Sequence, residues 1–339
     1  MINSISFKNF KILRNATLPL SRFTLLLGPN ASGKSTAMQA LSFANSPQSY
    51  DFNRIVTAGE EQTESVEVGI GFESPPAKWE CVSGFRNNLH GLVSVYGPDF
   101  RMVQGPAADS REHELKRELE TFKIYSFDAK AISLGVNLHP RPELEMTGHN
   151  LVGVLDDLRD RDPERFEELN EELSRWLPEF DRVLFHMAGP SMRGFSLRTK
   201  LGKHAIQATD LSQGTLFALA FLTLAYLPNH PSVVCFEEPD RGIHPRLLRE
   251  IRDGMYRLAY PEDYNEQRSP VQVIATTHSP YLLDLYKDHP EEIVIAEKDS
   301  EGSHFERLSD KGDLCELIKE APLGEVWYSG ALGGVPNRP

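Results

Sequence analysis

The chain has 339 residues, 40% of them hydrophobic and 25% charged, which is enough apolar material for a large core and excludes a disordered polymer. A formal net charge of −13 argues against a protein that coats nucleic acid over its whole surface, while leaving room for a local basic patch. Cys81, Cys235 and Cys315 are too few and too widely spaced for a disulfide framework or a zinc site, and neither a long apolar run nor a secretory signal pattern is present, so a cytoplasmic protein without a membrane span is expected.

From Met1 to Leu27 apolar and polar residues alternate, at Ile2, Ile5 and Phe7, then at Leu18 and Leu20, and the pattern closes in the apolar run Phe23 to Leu27. Two or three strands are predicted, the last buried on both faces. Gly28-Pro29-Asn30-Ala31-Ser32-Gly33-Lys34-Ser35-Thr36 follows, and then Ala37-Met38-Gln39-Ala40-Leu41, which reads as a helix. Strand, glycine loop and helix in that order form the setting of a phosphate-binding loop, whose inward N–H groups and helix start attract anions. Gly28, Asn30, Ser32, Gly33, Lys34, Ser35 and Thr36 are the candidate nucleotide contacts. Lys34 would reach the β- and γ-phosphates, and the Ser35 hydroxyl would face Mg²⁺. ATP or GTP binding is the starting expectation.

Val66 to Phe72 alternates as a strand, Pro75-Pro76 breaks the pattern, and Trp79 to Gln104 is weakly strand-like. Ser110 to Phe122 is strongly charged, with Leu115, Leu119 and Phe122 at helical spacing, and reads as a solvated amphipathic helix. Ile124 to Phe127 reads as a short strand. Asp162-Pro163-Glu164 opens a helix with a capping acid, a first-turn proline and an acid at the positive end; Phe166, Leu169, Leu173 and Trp176 form its apolar face, and Pro178 stops it. No fixed repeat and no sustained heptads occur, which excludes a long coiled-coil arm. Arg182 to His186 and Gly194 to Lys200 are predicted strands. Asp210-Leu211-Ser212-Gln213-Gly214-Thr215 then opens a nearly all-apolar helix, Leu216 to Leu227, too short to span a bilayer. Ser232-Val233-Val234-Cys235-Phe236-Glu237-Glu238-Pro239 is a buried strand ending in two carboxylates, and Val271 to Thr277 is another, ending at His278-Ser279-Pro280. Strands alternating with helices point to an α/β nucleotide-binding architecture.

In content and in order, the glycine loop, Leu211-Ser212-Gln213-Gly214, the acidic strand end and His278 resemble the ABC-type ATPases, and among them the soluble RecF, SMC and OLD branch. Ile5-Ser6-Phe7-Lys8-Asn9-Phe10-Lys11 looks like the first strand of that branch. Gly148-His149-Asn150-Leu151, the Asp162-Pro163-Glu164 helix and Trp327-Tyr328-Ser329-Gly330 look like stand-alone ATPases related to OLD proteins. His244-Pro245 stands where transporter ATPases carry an aspartate, which favours the non-transporter branch.

The resemblance implies an α/β P-loop NTPase fold: an ABC-ATPase head with a β-rich N-terminal part and a helical insertion lobe. A nucleotide-binding lobe over 1–105 and 228–339 and a helical signature lobe over 106–227 are expected. It further implies that Ser212, Gln213 and Gly214 bind the γ-phosphate of ATP held by a second copy, giving an ATP-dependent homodimer. Glu237 would hold Mg²⁺ through a water, Glu238 would orient or deprotonate the attacking water, and His278 would sense the γ-phosphate. Glu237 replaces the usual aspartate and adds one methylene while keeping the charge. The glutamine that such ATPases carry before the signature has two candidates, Gln62 and Gln104. Lys8, Lys11 and Arg14 lie near the first strand, with solvation their expected role.

The output of such an ATPase depends on what is attached to it. OLD nucleases append a Toprim domain with a Glu and an Asp-x-Asp metal cluster. Here Glu291 to Asp299 is followed by no Asp-x-Asp and reads as a terminal strand of the ATPase. The expected function is that of a sensor or regulatory ATPase working with a separately encoded nuclease or toxin, in antiphage defence or DNA repair. The alternative is a RecF-like DNA-binding clamp, for which Arg241, Arg246, Arg249, Arg252 and Arg257 would supply a basic stripe. Interleaved Glu250 and Asp253 favour a solvated, salt-bridged helix there.

Overall fold

The computed structural model describes residues 1–46, 49–57, 65–73, 76–84, 89–96, 115, 121–300, 302–312 and 321–332. Gln62, Gln104, Pro75, Cys315 and most of the helix expected over Ser110 to Phe122 lie outside the described residues.

In chain order, strands β1 (Ile2–Phe10), β2 (Leu13–Pro19) and β3 (Phe23–Leu27) lead into helix α1 (Lys34–Asn45), the short α2 (Phe52–Ile55) and strands β4 (Val66–Phe72), β5 (Ala77–Gly84) and β6 (Leu89–Tyr96). Then come β7 (Lys123–Tyr125), α3 (Ala129–Ser133), β8 (Val136–Asn137), α4 (Leu151–Arg161), α5 (Pro163–Trp176), β9 (Phe180–Gly189), β10 (Met192–Thr199), β11 (Ala205–Gln207) and α6 (Gln213–Ala225). The last third holds β12 (Val233–Glu237), α7 (Leu248–Ala259), β13 (Gln272–Thr277), α8 (Pro280–Asp284), β14 (Ile293–Lys298), β15 (Ser303–Arg307) and α9 (Leu323–Tyr328).

The chain divides into two compact units: residues 1–122, 231–235 and 271–339, and residues 123–230 and 236–270. The first unit contains an antiparallel sheet in the order β2-β1-β4-β5-β6. Its alternating pattern follows from period-two burial, since Phe7, opposite Ala16 and Val68, turns inward while Lys8 turns outward to pair with Glu67 at 2.9 Å. A second sheet runs β15-β14-β3-β13-β12, with β3 parallel to both β13 and β14. Every residue of β3 and β13 is buried, as a parallel strand covered on both faces requires. The buried Gln272 ties the start of β13 to the start of the chain. Its Nε2 donates to the carbonyls of Ile2 and Ser21, at 2.6 and 2.8 Å, and its Oε1 accepts from the Ile2 N–H at 3.0 Å.

The second unit packs α4 to α7 with a small antiparallel sheet in which β10 pairs with β8, β9 and β11. Helix α5 begins as the sequence predicts: the Asp162 carboxylate accepts from the Arg165 N–H at 3.1 Å and Pro163 occupies the first turn. Helix α6 begins a turn earlier than expected, because the Ser212 hydroxyl accepts from the Thr215 N–H at 3.1 Å and so caps it. From Thr215 to Ala225 it is buried throughout. Tyr125, Phe127, Phe217, Phe221 and Phe236 form one aromatic cluster along this helix, with centroid separations of 5.0–6.3 Å.

Behind α6, Arg257 lies over the Tyr226 ring at 4.5 Å and pairs with Glu266, which also accepts from Arg268 at 2.6 Å. His230 sits beside this group with Nε2 bonded to the Leu224 carbonyl at 3.1 Å, and burial, with the Arg268 charge nearby, lowers its pKa to about 4. A histidine kept neutral in the fold contributes stability that is present above its unfolded pKa of 6.5 and is lost as pH falls toward about 4. Moving from pH 7 to pH 5 is expected to remove on the order of 2 kcal/mol through this side chain, seen as a lower melting temperature. His230→Gln should flatten that slope, and identical slopes in the two proteins would show that His230 does not control it.

Candidate nucleotide site

The end of β3 delivers the glycine loop, and α1 starts at Lys34 directly after it. The turn needs left-handed backbone at Ala31, φ +62°, and at Gly33, φ +104°, where a Cβ would also come within 2.8 Å of Leu13 Cδ2. Gly33 therefore has no room for a side chain. Lys34 is buried at 8% exposure, and its Nζ donates to the carbonyls of Gly28 at 2.6 Å and Pro29 at 2.9 Å, so the ammonium lies curled over the loop. The buried Ser32 hydroxyl has no hydrogen-bond partner. Asn30 and Ser35 are exposed and Thr36 is half-buried. An orphaned hydroxyl, a lysine on the loop and a helix N-terminus make a donor set that fits the phosphates of a nucleotide, with Ser35 free to meet Mg²⁺.

His278 belongs to the same unit. Strand β13 runs parallel to β3 with Thr277 paired to Leu27, so His278 and Gly28 leave the sheet at the same end of neighbouring strands. Ligands of open α/β sheets sit at that end. His278 is exposed, and the turn after it is fixed by the Ser279 N–H donating to Thr277 Oγ1 at 2.9 Å.

Ser212, Gln213 and Gly214 belong to the second unit, at the start of α6, with both side chains exposed. Glu237 is the last residue of β12, a strand whose first three residues belong to the first unit's sheet, and Glu238 follows it; both carboxylates are half-buried. Glu238 has a left-handed backbone, φ +48°, although Pro239 follows, a combination disfavoured for a residue with a side chain. Sequence reasoning missed this, and it also missed the wall behind the loop: Leu13 and Ser303 against Gly33, and Ala296 against Gly28, whose Cβ would stand 2.5 Å from the Ala296 carbonyl oxygen. No local signal marks those contacts, because they join segments far apart in the chain.

Other residues singled out by their sequence have structural roles. Lys11 donates to Gln39 of α1 at 2.5 Å, and Asn150, at the head of α4, bonds to Glu143 and Glu145. His244 accepts from the Arg246 N–H at 3.2 Å. Trp327 is buried and Tyr328 exposed at the end of α9. Among the described residues no group of three or more histidine, cysteine and acidic side chains is placed to hold a metal ion.

Comparison with known proteins decides the family. Residues 23–284 match the family described as "AAA domain, putative AbiEii toxin, Type IV TA system". The chain belongs to that AAA-domain family. The match starts at β3 and ends with α8, so it contains the glycine loop, the signature, the acidic strand end and His278. An OLD nuclease of Thermus scotoductus is 23% identical, over 96% of this chain and 68% of its own length. Among solved structures, an SMC head bound to the C-terminal winged-helix domain of ScpA is similar with a TM-score of 0.61 at 16% identity, covering 93% of this chain and 99% of that one. The SMC head domain of Thermotoga maritima gives 0.51 at 16% identity, covering 90% and 98%. The fold is thus the P-loop NTPase α/β fold, as in the SMC heads, and the AAA-domain chain is similar in sequence to an OLD nuclease. No helix among its described residues is long and apolar enough to cross a membrane.

Proposed function

We propose that this protein binds and slowly hydrolyses ATP with Mg²⁺, closes as a homodimer around ATP, and serves as the sensor or regulatory subunit of a separately encoded nuclease or toxin in antiphage defence or DNA repair. The observation that carries the reading is the glycine loop at the end of β3, with buried Lys34 on its carbonyls and His278 leaving the paired strand at the same end. Gly28, Asn30, Ser32, Gly33, Lys34, Ser35 and Thr36 bind the phosphates. Ser35 and Glu237 would hold Mg²⁺, which would offset the negative charge of the phosphates. The Glu238 carboxylate takes up the proton of the attacking water, and His278 donates to the γ-phosphate. Ser212, Gln213 and Gly214 receive the γ-phosphate of the second copy's nucleotide at the start of α6, where the helix end favours an anion.

Membership of a family tied to a toxin–antitoxin system and similarity to an OLD nuclease support a link to toxin or nuclease action. A DNA clamp is the weaker alternative, because three of the five arginines proposed for it are already engaged: Arg252 with Asp253, Arg257 with Glu266, and Arg241 with the Phe127 carbonyl. The test is a tagged pull-down of Glu238→Gln from the native host, read by mass spectrometry. A nuclease or toxin in fixed ratio supports the regulatory reading, whereas nucleic acid alone supports the clamp. Cutting of DNA by the purified chain with Mg²⁺ would sink the separate-effector reading.

A further inference from the structure

Within the second unit, the loop after β12 touches the start of α6 at several points. The Glu238 carbonyl accepts from the Arg241 N–H at 2.9 Å, closing a turn that carries the chain to Gly242. Gly242 is left-handed at φ +70°, and a Cβ there would stand 2.6 Å from Gln213 Cδ and 2.9 Å from both Nε2 and Oε1. The end of the exposed Gln213 side chain therefore lies against Gly242. A Cβ at Gly214 would in turn stand 3.1 Å from the Gly242 carbonyl oxygen. Arg241 reaches the Phe127 carbonyl at 3.5 Å, and the Phe127 ring packs on Phe217 and Phe221 of α6. On the strand side, Phe236 packs on Phe221 at 5.0 Å.

Glu237 and Glu238 are thus bracketed by two contacts to one helix, the Phe236 ring before them and Gly242 after them. A left-handed residue before proline does not hold itself; the surrounding structure must over-determine it. We infer that Gln213 and Gly242 are positioning residues for Glu238, their contact fixing the turn whose strained first residue carries the carboxylate. This rests on the reading that Glu238 acts on the water that attacks ATP. Gln213 then serves its own chain's catalytic loop as well as standing in the signature.

The test uses the full chain with Gly242→Asn, Gln213→Ala and the double variant. Asparagine tolerates left-handed backbone, so Gly242→Asn brings in the colliding Cβ without a large conformational penalty. A shift of about 1 Å in a reacting group costs on the order of 10²-fold; because the new Cβ meets the end of a side chain that can partly give way, kcat of Gly242→Asn is expected to fall by about tenfold. The KM for ATP, the affinity for a fluorescent ATP analogue and the melting temperature should stay near those of the wild type. Gln213→Ala vacates the space, so the double variant should recover to within about threefold of Gln213→Ala alone, the non-additivity expected of residues in contact. An unchanged kcat in Gly242→Asn, a double variant well below Gln213→Ala alone, or a parallel loss of ATP binding in Gly242→Asn overturns the inference. A wild-type chain that binds ATP without turning it over, or binds none, fails earlier and overturns the reading of the site together with it.

Discussion

Lys34→Ala is expected to weaken ATP binding by about two to four orders of magnitude, since two charge-assisted hydrogen bonds to phosphate contribute about 1.5–3 kcal/mol each. The ammonium already lies over the loop, bonded to the Gly28 and Pro29 carbonyls, so the donors a phosphate needs are gathered at the turn. The fold itself should change little. Helix α1 holds its place through Ala37, Met38, Ala40, Leu41, Phe43 and Ala44, which the substitution leaves alone. Thermal unfolding with and without ATP and Mg²⁺ reads both effects at once. At ATP a hundredfold above its Kd the wild type should gain about 2.7 kcal/mol, while Lys34→Ala should gain at most about 0.4 kcal/mol and melt near the ligand-free wild type. An undiminished ATP shift in the variant would remove Lys34 from the site.

Both the glycine loop and the buried strands around it are legible in the sequence because their causes are local. Phe23 to Leu27 is apolar except at Thr24 and ends at a glycine loop, a short run that suits a strand covered on both faces, and β13 carries Val273, Ile274 and Ala275 at its centre; both strands are buried at every residue. Asp162 and Pro163 likewise announce α5, since capping is settled within one turn. Helix α4 escaped because Gly153 and its run of charged residues hide the apolar face made by Leu151, Val152, Val154, Leu155 and Leu158. The backbone of Glu238 runs against what its sequence suggests, because a residue before proline belongs in the extended region. Contacts made elsewhere decide it. The same holds for Gln213 on Gly242 and for Leu13 behind Gly33: the side chains are ordinary and their meeting is set by tertiary packing, which no periodicity encodes.

Replacing Glu238 by glutamine is expected to slow ATP hydrolysis by about 10²- to 10⁴-fold while leaving ATP binding in place, the range that positioned general bases contribute. Glutamine has the same Cβ and nearly the same shape, so it meets the φ +48° backbone with the same difficulty as glutamate, and stability should not change. What is lost is a carboxylate that can accept a proton. With hydrolysis blocked, the proposed dimer should persist, so gel filtration of Glu238→Gln with ATP and Mg²⁺ should show a doubled mass that reverts when ATP is withdrawn. Glu237→Gln separates the two acids: it should raise the Mg²⁺ concentration needed for binding, because its role is at the metal rather than the water. Two results would tell against this assignment. Turnover by Glu238→Gln near the wild-type rate would move the base elsewhere, and a monomer in ATP with hydrolysis abolished would separate catalysis from dimer closure, leaving Ser212 and Gly214 without the second nucleotide they are proposed to bind.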